Sequence, residues 1–222
     1  MDFENTGFEL IPGFLTPGEI DALLAALRDH RPDARRGGIR RIDRLVPSVA
    51  ALAQSPKILA AAASRLNGIP RLVRAIYFDK SPANNWLVTW HQDRTVAVSA
   101  RFEANGWGPW SRKDEVWHVQ PPLHVLQSMI TIRLHLDAAG KDNGCLKVIP
   151  ASHLMGLIDS GKMLEYVDKE AANYLEVPSG GALLMRPHLL HASEKSILPK
   201  PRRILHFEYS SSLLPDGIAW NA

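Results

Sequence analysis

Residues 126–137, LQSMITIRLHLD, constrain the fold most tightly. In an extended conformation Met129, Thr131, Arg133 and His135 fall on one face, and Leu126, Ile130, Ile132, Leu134 and Leu136 fall on the other, because successive side chains of a strand point to opposite sides. This alternation predicts a strand between two environments, one packed and one polar. Shorter apolar or aromatic runs predict further strands over about 72–78, 86–91, 182–185 and 204–209. Two helices are expected upstream. Thr16-Pro17-Gly18-Glu19 has the form of a capping box, followed by Ile20, Leu23, Leu24 and Leu27 at helical spacing. A second helix should start after Ser55-Pro56, run through about 58–66 and stop at Asn67-Gly68. Helices followed by many strands predict a mainly β fold, a sandwich or barrel with helices packed outside.

The chain has 222 residues, enough for one domain with a sizeable core. A net charge of +3 is too weak to imply nucleic acid, and the basic residues are scattered apart from Arg35, Arg36, Arg40, Arg41 and the pair Arg202-Arg203. The first cluster reads as a solvated loop. The single cysteine, Cys145, excludes an internal disulfide and a cysteine-based zinc cluster, and is expected as a small buried residue. No basic-then-apolar leader and no long apolar run is present, so the expectation is a cytoplasmic protein without a membrane segment. The connection over about 101–122 carries Trp107, Trp110 and Trp117 among glycines and prolines. It is expected to form a lid or substrate wall.

The chemistry concentrates in two places. In His91-Gln92-Asp93 the outer two residues share one side of an extended strand and can grip a single metal. Imidazole with carboxylate suits iron(II), and a third, distant histidine would complete a facial triad with three open positions. His188 and His191 in HLLHAS both qualify; His30, His118, His124 and His206 have no suggestive neighbour and read as surface or satisfied core residues, whereas His135 could line a cavity. Ser193 lies two residues beyond His191 and Arg202 eleven beyond. A guanidinium fork and a hydroxyl there make a seat for a dicarboxylate beside the metal.

Four motifs in order, WHQD (90–93), NGCLKVIPASH (143–153), RPHLLHAS (186–193) and PRRILHFEY (201–209), resemble the phytanoyl-CoA dioxygenase family of iron(II)- and 2-oxoglutarate-dependent oxygenases. The resemblance implies one double-stranded β-helix domain, a jelly roll like that of the cupins, with a helical layer over about 1–70 and a β core over about 71–210. It implies iron ligands His91, Asp93 and His191, with His188 a packing residue. Arg202 rather than Arg203 would bind the distal carboxylate of 2-oxoglutarate, with Ser193 assisting and Lys80 contacting the cosubstrate. It also implies oxidation of a small molecule by O2, with release of succinate and CO2. The retained carboxylate of Asp93 favours hydroxylation over halogenation. Trp86, Trp107, Trp110, Trp117 and Gln127 are candidate wall residues for that substrate. A catalytically silent metal-binding scaffold and a cupin-like metalloenzyme without 2-oxoglutarate are the competing readings; the dicarboxylate seat argues against the second. His153, Asn143 and Gly144 read as turn chemistry, and Ala151 stands where the family often has glycine.

Overall fold

The computed structural model describes residues 2–32 and 37–220. In chain order the first elements are α1 (Phe3–Thr6), β1 (Phe8–Ile11), α2 (Pro17–Ala26), β2 (Gly38–Arg40), α3 (Ile42–Leu45), α4 (Pro47–Ala53) and α5 (Pro56–Ala63). Then come β3 (Arg71–Lys80), β4 (Val88–His91), β5 (Val96–Val98), β6 (Trp110–Lys113), β7 (Val116–Val119), α6 (Leu123–Gln127) and β8 (Met129–His135). The chain continues through β9 (Leu146–Val148), α7 (Ser160–Lys169), β10 (Asn173–Leu175), β11 (Ala182–Met185), β12 (His191–Ser193) and β13 (Arg202–Ser210).

Six strands form the major sheet in the order β1-β11-β8-β13-β3-β2, and four form the minor sheet in the order β10-β9-β12-β4. All pairings are antiparallel. The outer face of the major sheet carries Ile130, Ile132, Leu134, Leu205, Phe207 and Tyr209, which join one cluster with Leu23, Val49, Ile58 and Ala62 of the helices. The Thr16 capping box is formed, with the hydroxyl accepting from Glu19 N and the Glu19 carboxylate accepting from Thr16 N. Between the sheets, one end is filled by apolar residues including Phe8, Val148, Leu183 and Met185.

Several expectations need correction. Leu126 and Gln127 end α6 rather than begin the strand, because Pro121-Pro122 starts a helical turn that runs to Ser128. Both faces of β8 are buried, so its polar face is enclosed by protein rather than solvated. The helix after Ser55 ends at Ala63, before Asn67-Gly68. The first 70 residues are not purely helical: β1 is an edge of the major sheet and β2 its opposite edge. The 101–122 connection is no bare loop. It holds the β6–β7 hairpin, turned by Asp114 and Glu115 at φ 49° and 62°, and β7 also pairs with β5. Arg40 and Arg41 are docked on that turn, Arg40 Nη1 on the Asp114 carboxylate at 3.0 Å and Arg41 Nη2 on its carbonyl at 3.2 Å. Arg35 and Arg36 lie outside the described residues.

Candidate active site

Strand pairing across the minor sheet assembles the first part of the site. β4 and β12 set His91 directly opposite His191, and Asp93 N donates to Pro187 O at 2.9 Å just beyond the strand. Gln92 points the other way and is fully used. Its amide donates to the Gly156 and His188 carbonyls, and its oxygen accepts from Ile158 N and from Arg94. This clamp fixes the turn that presents His91 and Asp93 to one side.

The tautomers of the two histidines follow from their partners. His91 Nδ1 lies 2.9 Å from Thr89 O and His191 Nδ1 lies 2.7 Å from Leu189 O; a carbonyl only accepts, so both Nδ1 atoms carry the proton. Each Nε2 is therefore left to face Asp93, at 3.7 Å from Oδ1 for His91 and 3.7 Å from Oδ2 for His191. Three ligand atoms converge, and the far nitrogen of each imidazole is already held by a backbone carbonyl, which is the arrangement a metal-binding histidine requires. Burial alone would raise the Asp93 carboxyl, but His91, His191 and His206 hold it well below the usual carboxylate range. The His191 imidazole is pushed down to about 3 by burial and by His91, so its nitrogen stays available. His188 packs against His153 with ring centroids 6.1 Å apart and takes no place in this group.

The second part comes from the inner face of the major sheet. β13 alternates, so Arg202, Ile204, His206 and Glu208 face inward opposite Lys80, Phe78, Ile76 and Arg74 of β3. Arg202 is 2% exposed, yet among the described residues its Nε and Nη1 have no hydrogen-bond partner. Burial and the nearby Arg133 lower its pKa to about 9. Arg203 faces outward and is spent on Asp137 through Nε at 2.7 Å and Nη2 at 2.8 Å. Beside Arg202, Lys80 Nζ donates to Ser193 Oγ at 3.0 Å and to Glu194 O at 2.6 Å, and Ser193 Oγ donates to Gly144 O at 2.8 Å. Gly144 permits this approach: with φ +72°, a Cβ there would stand 2.3 Å from Glu194 O and 3.1 Å from Lys80 Nζ. Burial, then Arg202 and Arg133, pull the Lys80 ammonium down to about 7.

The two parts meet in one cavity of about 100 Å³, bounded by His91, Asp93, His191, Ser193 and Arg202. Trp86, Phe78, Ile76, Val88 and Leu146 form its apolar wall. Trp86 also lies under Lys80, whose Nζ is 5.1 Å from the ring centroid. Lys80 is fully buried behind this wall. Trp107, Trp110 and Trp117 are elsewhere. They stack edge-on around Phe102 and against each other in the cluster beneath the three-stranded sheet, because β5–β7 pairing turns their rings onto Val73, Val96 and Val98. Gln127 is exposed at the end of α6 and lies off the cavity.

Four charged or polar lining residues were not singled out as site residues from the sequence: Arg74, Arg133, His206 and Glu208. Arg133 Nη1 donates to His206 Nδ1 at 2.9 Å, so His206 carries its proton on Nε2 and donates to Glu208 Oε1 at 3.0 Å. Arg74 Nη1 completes the chain on the same carboxylate oxygen at 3.1 Å. Asp93, His206 and Glu208 also converge closely enough to suggest a metal group, but the imidazole nitrogens are both engaged. Continuing the period of two from Arg202 along PRRILHFEY would have pointed to His206 and Glu208.

Comparison with known proteins decides the family. The phytanoyl-CoA dioxygenase profile matches residues 3–204. The chain belongs to that family. It is 26% identical over 235 residues to rat phytanoyl-CoA dioxygenase domain-containing protein 1, covering 99% of this chain and 66% of that one. It is 32% identical over 96 residues to the methylphosphonate hydroxylase of Gimesia maris, covering 41% of this chain and 36% of that one. The chain thus spans less than two thirds of the length of these curated relatives. Among solved structures, HygX of Streptomyces hygroscopicus with nickel and 2-oxoglutarate bound superposes with a TM-score of 0.69 at 18% identity, covering 96% of this chain and 85% of that one. The fold of this family member is accordingly the jelly-roll core of the 2-oxoglutarate oxygenases, with helices outside. Among the described residues, no helix is long and apolar enough to cross a membrane.

Proposed function

We propose that this protein is an iron(II)- and 2-oxoglutarate-dependent dioxygenase that hydroxylates a small organic molecule. The observation that carries the reading is the coincidence, in one cavity, of two Nε2 atoms turned to one carboxylate and a buried guanidinium whose Nε and Nη1 have no partner among the described residues. His91, Asp93 and His191 supply a facial set of nitrogen and oxygen donors suited to iron(II), leaving positions free for cosubstrate and O2. Iron held by these residues would supply the oxidising chemistry, converting 2-oxoglutarate and O2 to succinate and CO2 with one oxygen atom passed to the substrate.

The protein's own contribution is placement. Arg202 brings a buried guanidinium with unpaired Nε and Nη1 donors to the distal carboxylate. Ser193 and Lys80 stand at its side, the lysine poised to become an ammonium when a dianion arrives. Ile76, Phe78, Trp86 and Val88 exclude water from the reacting centre. A metalloenzyme that does without 2-oxoglutarate has no use for the buried Arg202 guanidinium. Desaturation, epimerisation and ring closure use the same oxidant; the retained Asp93 carboxylate supports hydroxylation over halogenation.

Anaerobic addition of iron(II) and 2-oxoglutarate tests the reading. The expected result is a visible charge-transfer band that forms in the parent protein and is lost in Asp93→Ala and His191→Ala. Its absence in correctly folded parent protein would overturn the cosubstrate assignment.

A further inference from the structure

We infer that the primary substrate is a small organic acid whose anionic head is held by Arg133, an inference that rests on the proposed dioxygenase reading. The charges enclosed in the cavity are unbalanced. Iron(II), Asp93, Arg202 and the 2-oxoglutarate dianion sum to zero, and an ammonium on Lys80 beside them adds a positive charge. Arg74 and Glu208 cancel each other through their ion pair. Arg133 is left over. It is 7% exposed, and a buried cation without a counter-charge is costly. Asp93, the acid that acts on it, is committed to the two histidines.

Its hydrogen bonds tell the same story. Among the described residues only Nη1 has an acceptor, His206 Nδ1, while Nε is buried without one. The guanidinium is nonetheless rigidly placed. Its carbon lies 5.5 Å from the Phe78 ring centroid, and the His206–Glu208–Arg74 chain fixes its edge. A group aimed, pre-organised and unspent in this way is built to meet an oxyanion. Arg133 sits across β13 from His206, which is four residues along the strand from Arg202, and its guanidinium joins the His206–Glu208–Arg74 chain. The remaining wall is apolar, formed by Ile76, Phe78, Trp86 and Val88. Those features together select an acid with an apolar body.

The test uses full-length protein, anaerobic, with iron(II) and 2-oxoglutarate, and follows shifts of the charge-transfer band on adding propionate or methylphosphonate, with propionamide as the uncharged control. The parent protein should respond to the two anions at concentrations roughly 10-fold or more below the amide. Arg133→Met should abolish that preference while changing 2-oxoglutarate affinity by less than about 3-fold. If the methionine variant does not fold, Arg133→Lys should keep the preference and Arg133→Gln lose it. Equal response to anions and amide in the parent, or a loss of 10-fold or more in 2-oxoglutarate affinity on removing Arg133, would overturn the inference; the latter would make Arg133 a second cosubstrate contact. Failure to form the band at all would instead sink the dioxygenase reading, so the two failures are distinguishable.

Discussion

The two faces of β8 and β13 are equally buried and chemically opposite. Phe207 is 0% exposed and its neighbour Glu208 is 1% exposed. The outward face packs Ile130, Ile132, Leu134, Leu205, Phe207 and Tyr209 against the helices, and its one hydroxyl, Tyr209, donates to Ala53 O at 2.7 Å. The inward face holds Arg133, His135, Arg202, His206 and Glu208, with Arg202 Nε and Nη1, Arg133 Nε, Thr131 Oγ1 and both His135 nitrogens unpaired. Depth of burial therefore does not separate folding residues from binding residues here. Satisfaction does. The outward face spends its burial on stability, at about 25 cal/mol per Å² of apolar area. The inward face carries desolvated polar atoms whose cost is returned only when a ligand pairs with them.

The comparison can be broken at several points. The largest effect should follow Asp93→Ala, which removes the only carboxylate of the candidate triad: iron-dependent succinate formation should fall by roughly 1,000-fold or more, about 4 kcal/mol. Thermal melting of the metal-free variant should stay near that of the metal-free parent, and a collapse of melting would make Asp93 a folding residue. Phe207→Ala, on the opposite face of β13, should cost about 3–5 kcal/mol in urea unfolding. A loss below about 1 kcal/mol would show that the outward face is not the stabilising one.

Lys80 gives a pH-dependent prediction. Its pKa in the free protein is pulled down to about 7 by burial and by Arg202 and Arg133, so it is charged below pH 7 and neutral above. A dianion beside it favours the ammonium and raises that pKa, so binding takes up a proton above pH 7. Affinity for 2-oxoglutarate should be flat below pH 7 and fall by up to about 10-fold per unit as pH rises beyond it. Calorimetry in buffers of different ionisation enthalpy would detect the proton, and Lys80→Met should abolish the slope. A flat profile in the parent from pH 6.5 to 8.5 would remove Lys80 from the cosubstrate site. The smallest effect on the site is expected of Trp110→Ala: its ring packs on Phe102 and Trp117, so 2-oxoglutarate affinity should change by less than about 2-fold.

Much of this was legible before any coordinates. The alternation of 129–136 predicted the two faces of β8, and the run 182–185 matched β11. H-x-D and HLLHAS named residues that the minor sheet sets side by side. The illegible parts share a physical cause, dependence on pairing between segments distant in sequence. Arg74 and Glu208 are 134 residues apart, and neither has a local pattern that announces the other. Trp107, Trp110 and Trp117 lay in a segment rich in glycine and proline that reads as a loop; only the short partner strand β5 turns it into a sheet with its own apolar cluster. Gln127 ends α6, which Ser128 closes, so it does not share the inward face of β8.

The neighbours Arg202 and Arg203 offer the most direct test, since they carry the same side chain on opposite faces of one strand. The measurement is 2-oxoglutarate affinity, by anaerobic calorimetry with iron(II) present, of Arg202→Met and Arg203→Met. Arg202→Met should weaken binding by roughly 100-fold while leaving melting unchanged or raised, because it deletes unpaired buried donors. Arg203→Met should bind within about 3-fold of the parent and melt lower, because it breaks the bidentate pair with Asp137. The reverse pattern, with binding lost in Arg203→Met and kept in Arg202→Met, would contradict the account.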